Sequence, residues 1–359
     1  MPATLRCSVC GEEYADRWRC PCGGPLDYAD PPRPDGPAPA FAALDARRGL
    51  WAFDEFLPMA AHATLGEGWT PLVDAPAWDA AFKLEYVSPT GSFKDRGAAT
   101  VVSRAAECGV DRVVDDSSGN AGAAIATYAA RAGIDADVYV PASVKASKLR
   151  AIERTGATPV RVEGSRADVT DACVRAVEAG EGWYASHAWN PAFFAGTATF
   201  AYEVAAQRDW SVPDAVVTPL GHGTLFLGAY RGFRALYDAG WTDRLPRLLG
   251  AQAAGYAPIA AELHGDEGET TNDVADGIQI RDPVRKRAIL DAVAASSGDA
   301  IALPADAVER ERDALHRQGF YVEPTSAVAP AALRAYRDRG VLDADDDVVV
   351  PLTGSGLKT

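Results

Sequence analysis

The sequence predicts an α/β protein built on mainly parallel sheets covered by helices. Three observations carry that expectation. Short apolar runs suited to strands recur at 81–87, 112–115, 136–140, 158–162, 214–219, 247–251 and 347–352. Ala-rich amphipathic stretches such as 120–132, 166–179 and 221–238 lie between them. The gaps are long enough for crossover helices, the connection that parallel neighbours require. In such sheets ligands sit at the carboxyl ends of the strands, so the turns after the predicted strands are where chemistry is sought. With 359 residues the chain can bury a substantial core, as one large domain or two interlocked ones.

The first residues do not belong to that pattern. Cys7, Cys10, Cys20 and Cys22 crowd a segment too small for its own apolar core, and four thiolates converging on one zinc ion would give it a shape. Four protein ligands leave no open position, so such a metal is structural; reduced free thiols and a decayed metal site are the alternatives. Cys108 and Cys173 lie in helical patterns and read as packed small hydrophobes. Residues 30–40, Asp-Pro-Pro-Arg-Pro-Asp-Gly-Pro-Ala-Pro-Ala, are too rich in proline for helix or central strand and read as a linker. No apolar stretch approaches the length of a membrane span, and the Met-Pro-Ala-Thr-Leu-Arg start has no apolar signal core. A soluble chain in the cytoplasm is expected. The 35 basic and 50 acidic side chains leave a formal charge of −15, which disfavours nucleic acid and anionic membranes as partners and suggests a salt-adapted surface. His62, His187, His222, His264 and His316 are scattered without metal spacing.

The turns hold the candidate chemistry. Ser88-Pro-Thr-Gly-Ser-Phe-Lys-Asp-Arg-Gly97 delivers Lys94 directly after strand 81–87. A lysine at such a junction can hold a carbonyl cofactor as a Schiff base if its surroundings keep part of it unprotonated, although most lone lysines are solvated helix-start charges. Asp116-Ser-Ser-Gly-Asn-Ala-Gly122 follows strand 112–115 and opens helix 120–132, so its amides and hydroxyls face whatever anion lies at that N-terminus. A plain N-cap is the alternative, and it can coexist with such a function. Leu220-Gly-His-Gly-Thr-Leu225 follows strand 214–219 in the same manner and suits a phosphate. Gly66-Glu-Gly-Trp-Thr-Pro-Leu72, Glu323-Pro-Thr-Ser-Ala327 and Thr353-Gly-Ser-Gly-Leu-Lys358 complete the set. Alone, each of these three is an ordinary turn or helix start.

Taken in order, these motifs resemble those of fold-type II pyridoxal-phosphate enzymes, the family of the tryptophan synthase beta chain, and the Ser-Phe-Lys-Asp-Arg-Gly core is most similar to threonine synthases. The resemblance implies two interlocked α/β domains with the cofactor, pyridoxal 5'-phosphate, in the cleft between them: residues 30–88 and 191–359 as the large domain, 89–190 as the small one. It also implies a zinc-ribbon-like segment over 1–29, with Cys20-Pro21-Cys22 departing from the usual two-residue knuckle spacing, and dimerisation. By position, Lys94 anchors the cofactor and moves protons, and Asn120 meets its phenolic oxygen. The backbone of Gly221, His222, Gly223, Thr224 and Leu225 holds its phosphate, and Thr353 meets its ring nitrogen. Ser117, Ser118 and the Ala121 amide take the carboxylate of an amino-acid substrate.

The reaction so implied is a lyase reaction, O-phosphohomoserine and water to threonine and phosphate, with Lys148 contacting the substrate phosphate. A second phosphate-gripping cation is missing, because Asn190-Pro-Ala-Phe-Phe-Ala-Gly196 has Phe193 where threonine synthases usually carry arginine. That departure, with the dehydratase-like Ser-Ser-Gly-Asn-Ala-Gly turn, keeps a serine or threonine dehydratase or another β-replacing relative as the rival. A non-catalytic binding homologue is opposed by Lys94, Asn120 and Thr353.

Overall fold

The computed structural model describes residues 3–265 and 270–358. The chain begins with three short strands, β1 (Leu5–Cys7), β2 (Glu13–Tyr14) and β3 (Leu26–Tyr28), and later returns through β4 (Leu72–Ala75) and β5 (Ala80–Lys83). Alternation follows: α1 (Lys94–Glu107), β6 (Arg112–Asp115), α2 (Asn120–Ala132), β7 (Asp135–Pro141), α3 (Ala146–Glu153), β8 (Thr158–Val162), α4 (Arg166–Glu178) and β9 (Trp183–Tyr184). It continues with α5 (Pro191–Ala206), β10 (Ala215–Pro219), α6 (Thr224–Asp238), β11 (Arg247–Ala253), α7 (Pro258–His264), α8 (Lys286–Ala295), β12 (Asp299–Leu303), α9 (Ala305–Arg317), α10 (Pro324–Asp338) and β13 (Val348–Pro351). Among the described residues no helix is long and apolar enough to cross a membrane.

Two compact units divide the chain, one of residues 1–34, 46–67 and 94–197, the other of 35–45, 68–93 and 198–359. In the first, β8-β7-β6-β9 form a fully parallel sheet, and the head folds as a separate antiparallel β2-β1-β3 sheet. Small residues make this layering possible: Ala98, Ala99, Val102 and Ala105 of α1 pack with Ala124, Ile125, Tyr128 and Ala129 of α2 in one buried cluster. In the second unit the order is β12-β11-β10-β13-β5-β4, parallel except at the β4–β5 edge. Its central strands β10 and β13 are buried along their whole length, as the uninterrupted apolar runs of a parallel sheet require. The sequence expectation of an α/β protein with mainly parallel sheets is met.

Most expected boundaries hold to within two residues, and three differences have consequences. The run 81–87 is strand only to Lys83, and Glu85–Val87 forms a single 3-10 turn. There the chain turns Glu85 inward, where its carboxylate accepts the Thr70 hydroxyl at 2.7 Å. Helix α6 starts at Thr224 rather than at 221, because Gly223 takes a left-handed φ of 78° that ends the preceding loop. Cys108 falls just beyond α1 instead of inside it. The proline-rich stretch is also more ordered than a free linker, since Trp210 and Trp241 donate indole N–H bonds to the Pro39 and Gly36 carbonyls.

A fully buried ion pair fastens β5 to the 68–72 segment. The Lys83 ammonium has three donors and spends them on the Thr70 carbonyl (2.5 Å), Glu203 Oε2 (2.9 Å) and Gln207 Oε1 (2.9 Å), while the Thr70 amide donates to the same Glu203 oxygen. Both charged side chains are wholly excluded from solvent. Removing one partner strands the other charge, which typically costs about 3–5 kcal/mol. Lys83→Met is therefore expected to lose most of that amount in urea unfolding, and Lys83→Met with Glu203→Leu to recover a large part of it.

Candidate active site

Lys94 is the first residue of α1 and is half-buried. What precedes it is fixed by hydrogen bonds. The Gly91 amide closes a turn onto the Ser88 carbonyl (2.7 Å), Ser92 forms an antiparallel bridge with Gly354, and the Phe93 amide donates to the Thr353 carbonyl at 3.0 Å. The Ser355 amide returns to the Gly91 carbonyl at 2.9 Å. Residues 91–93 and 353–355 are thus laced together, and the backbone that delivers Lys94 is tied to the segment that carries Thr353.

Thr353 itself is buried, and its Oγ1 lies 3.0 Å from Ser326 Oγ, which also accepts the Gly354 amide (2.7 Å) and lies 3.0 Å from the Gly354 carbonyl. A serine hydroxyl has one proton to give. If it goes to Thr353 Oγ1, the Thr353 hydroxyl proton remains for another acceptor. If it goes instead to the Gly354 carbonyl, Thr353 donates to Ser326; the place of Ser326 in the Glu-Pro-x-Ser-Ala motif did not reveal this hydroxyl pair.

In the same unit, β10 runs into the Gly221–Leu225 loop, whose helix α6 opens through Gly223 without a side-chain cap. A Cβ at Gly223 would sit 2.6 Å from the end of the Ile289 side chain, and the left-handed φ favours glycine there. Just before the loop, the Thr218 hydroxyl is buried with no hydrogen-bond partner among the described residues; so is the Ser92 hydroxyl. Buried hydroxyls without partners are uncommon in native proteins and call for a further partner, a water or a ligand's polar atom.

The first unit carries the other predicted residues. Ser117 is buried at the end of β6, Ser118 is half-buried, Asn120 is the first residue of α2, and the buried Ala121 follows it. The Ser117 amide donates to Asp115 Oδ2 at 3.1 Å, and Ser117 Oγ accepts the Gly119 amide at 3.3 Å. Helix α2 also lacks a side-chain cap, so the capping alternative is not what this turn does. Asp115 is wholly buried. Burial, and then the Asp116 charge beside it, push its carboxyl well above the usual carboxylate range against the pull of the Ser117 amide and of Lys94. Lys148 lies in α3 and is half-buried.

Phe193 is fully buried and cannot reach out to an anion. Its ring fills the space over Gly97, where a Cβ would come within 2.3 Å of it, and the Lys94 ammonium stands 5.7 Å from the ring centroid, within cation–π range.

The Sγ atoms of Cys7, Cys10, Cys20 and Cys22 all lie within 4.8 Å of one another, with Cys7–Cys22 and Cys10–Cys20 at 3.5 Å. Tetrahedral zinc with ~2.3 Å bonds to sulfur needs sulfur separations of roughly 3.8 Å. The short Cys20-Pro21-Cys22 spacing therefore does not prevent convergence. The Tyr14 hydroxyl, 3.2 Å from Cys20 Sγ, is the first cause of a Cys20 thiol lowered to about 6, while the hydrogen bonds within the cluster raise Cys10 and Cys22.

A family model described as "Pyridoxal-phosphate dependent enzyme" matches residues 63–354. The chain belongs to the pyridoxal-phosphate dependent enzyme family. Among curated members it is 32% identical to the threonine synthase of Methanocaldococcus jannaschii, covering 98% of this chain and 92% of that one. It is 33% identical to the threonine synthase of Methanosarcina acetivorans, over 99% and 92%. Solved structures of the same fold include maize serine racemase (TM-score 0.68, 22% identity, 80% of this chain and 88% of that one) and a fungal L-serine ammonia-lyase from Rhizomucor miehei (TM-score 0.66, 22% identity, 80% and 93%). The residues present fit the family's cofactor: a lysine on a fixed backbone, an uncapped glycine-led helix start after β10 and unpartnered hydroxyls at Ser92 and Thr218. Lys94→Ala is expected to abolish the visible absorption band of lysine-bound cofactor in the purified protein, while Lys148→Ala keeps it.

Proposed function

We propose that this chain is a threonine synthase, converting O-phosphohomoserine and water to threonine and phosphate. The observation that carries the reading is likeness to enzymes of that name over nearly the whole chain, cysteine head included. In this reading Lys94 anchors pyridoxal 5'-phosphate. The amides of Gly221, His222, Gly223, Thr224 and Leu225 hold its phosphate at the start of α6, Asn120 donates to its phenolic oxygen, and Thr353 meets its ring nitrogen. When bound, the cofactor supplies an electron sink for charge developing on the substrate. The remaining work falls to side chains and backbone of the chain. Ser117, Ser118 and the Ala121 amide orient the substrate carboxylate. The Lys94 amine, once released, takes the proton from the substrate α-carbon and redistributes it among the neighbouring carbons. Thr353, beside Ser326, would offer the ring nitrogen a hydroxyl and not a charge. Lys148 contacts the leaving phosphate.

A second reading rests on Phe193. With a packed phenyl ring where the resembling enzymes usually carry an arginine, one charge-assisted phosphate contact is missing, worth roughly 1.5–3 kcal/mol. A serine or threonine dehydratase needs no such contact. We further propose that Cys7, Cys10, Cys20 and Cys22 hold one structural zinc ion.

Stoichiometric phosphate and threonine from O-phosphohomoserine are expected with the cofactor-loaded protein, and little keto acid from serine or threonine. Keto acid without phosphate release would assign the dehydratase. Elemental analysis of the same preparation is expected to find zinc equimolar with the chain, and Cys20→Ser to lose it; a metal-free, stably folded parent protein would reject the zinc site.

A further inference from the structure

Asp116 joins β6 to the Ser117–Ala121 turn, and its carboxylate is held on both oxygens. Thr170 of α4 donates its hydroxyl to Oδ2 at 2.6 Å, and Tyr184 of β9 donates to Oδ1 at 3.0 Å. Burial pushes the Tyr184 hydroxyl further up, so it remains a donor. The turn beyond Asp116 has no slack. A Cβ on Gly122 would lie 1.9 Å from the Ser117 carbonyl oxygen, so the first turn of α2 sits directly on it. With no side-chain cap on α2, the direction of the Ser117–Ala121 amides is set from behind, by Asp115 on the Ser117 amide and by the doubly held Asp116.

Tyr184 is itself braced by the cysteine head. Trp18 packs edge-on against its ring (5.3 Å between centroids) and against Trp189 (5.2 Å). Arg19 lies over Trp18 at 4.4 Å and pairs with Glu178 at the end of α4. Next to them Trp183 donates to Asp16 at 3.1 Å, and Cys20 belongs to the thiol cluster. One continuous set of contacts therefore runs from the head through Trp18 and Tyr184 to Asp116.

We propose that Asp116 is a positioning residue for substrate binding, held by Tyr184 and Thr170, and that the cysteine head acts on amino-acid affinity through Trp18. This rests on the reading that the Ser117–Ala121 turn takes the substrate carboxylate. Asp116 touches no reacting atom; it orients the turn that does the binding. The head is then part of the binding apparatus as well as a folded appendage.

The test titrates cofactor-loaded full-length protein with L-threonine and with L-serine, reading affinity from the change in the visible cofactor band. Tyr184→Phe keeps the ring against Trp18 and removes only the hydroxyl; Thr170→Val removes the other donor at nearly constant volume. Each is expected to weaken both amino acids about tenfold, the loss of one hydrogen bond to a charged group. The double variant should fall short of the product of the two, and Trp18→Leu should weaken binding severalfold. In all of them the band of the unliganded protein should stay where it is, which a general disruption of the site would not allow. If Tyr184→Phe and Thr170→Val bind like the parent while Ser118→Ala binds weakly, Asp116 is not a positioning residue and the inference is overturned. If Ser118→Ala also binds like the parent, or the parent band responds to neither amino acid, the carboxylate reading fails and the inference falls with it.

Discussion

The hydrogen bond from the Phe93 amide to the Thr353 carbonyl is the constraint on which the candidate site depends. In the proposed reading Lys94 binds a cofactor and then moves protons, which needs a fixed backbone beneath a mobile side chain. Here the fixing is done by a short lacing. Residues 91–93 pair with 353–355 on one side, and on the other side of the same segment the Glu323 amide bonds to Gly354, the Gly356 amide to Tyr321 and Val322 bridges Ser355. The C-terminal segment is thus the middle of three extended pieces, and it brings the Ser326–Thr353 hydroxyl pair into the same lattice.

The lacing continues the large sheet instead of standing apart from it. β13 enters the segment directly, the Leu352 amide bonds to the Lys83 carbonyl and the Tyr86 amide to the Leu352 carbonyl, so β5 and β13 remain in step past the end of their ladder. Beneath them the Lys83–Glu203 pair and Gln207 anchor Thr70, and Thr70 in turn holds Glu85. Burying an ion pair is seldom the cheapest route to stability. In this place it fixes where β5 ends, and hence where the turn leading to Lys94 begins. The first unit uses the same device without a cation. The Glu67 carboxylate is buried and collects bonds from Trp51, Leu65 and Tyr128, which ties the 46–67 segment to α2.

Much of this was legible in the sequence, and for identifiable reasons. β6, α2 and β8 fall at the expected residues because their apolar patterns end at charges and glycines. The glycine turns after β6 and β10 lie at strand ends because parallel strands put them there. The misplaced end of β5 has an equally plain cause: Leu84-Glu85-Tyr86-Val87 continues the apolar run, and only the Thr70 hydroxyl shows that Glu85 turns inward. Hydroxyl relays such as Ser326 to Thr353, and acid clamps such as Tyr184 and Thr170 on Asp116, join residues far apart in the chain and leave no local signal. The convergence of Cys7, Cys10, Cys20 and Cys22 was legible too, since the one-residue gap between Cys20 and Cys22 still brings four sulfurs together as expected.

Phe193 shows how one side chain shapes its surroundings. The ring occupies space that Gly97 leaves open and presents its face to the Lys94 ammonium, so it belongs to the wall around Lys94 and not to an anion site. Delivery of Lys94 rests on the backbone lacing of residues 91–93 and 353–355. Hydrogen–deuterium exchange at the Phe93 and Ser355 amides of the cofactor-loaded protein tests that lacing most directly. Both amides should exchange as slowly as those of the buried strand β13. Exchange of either at the rate of an exposed loop would contradict the claim that residues 353–355 hold the backbone that carries Lys94.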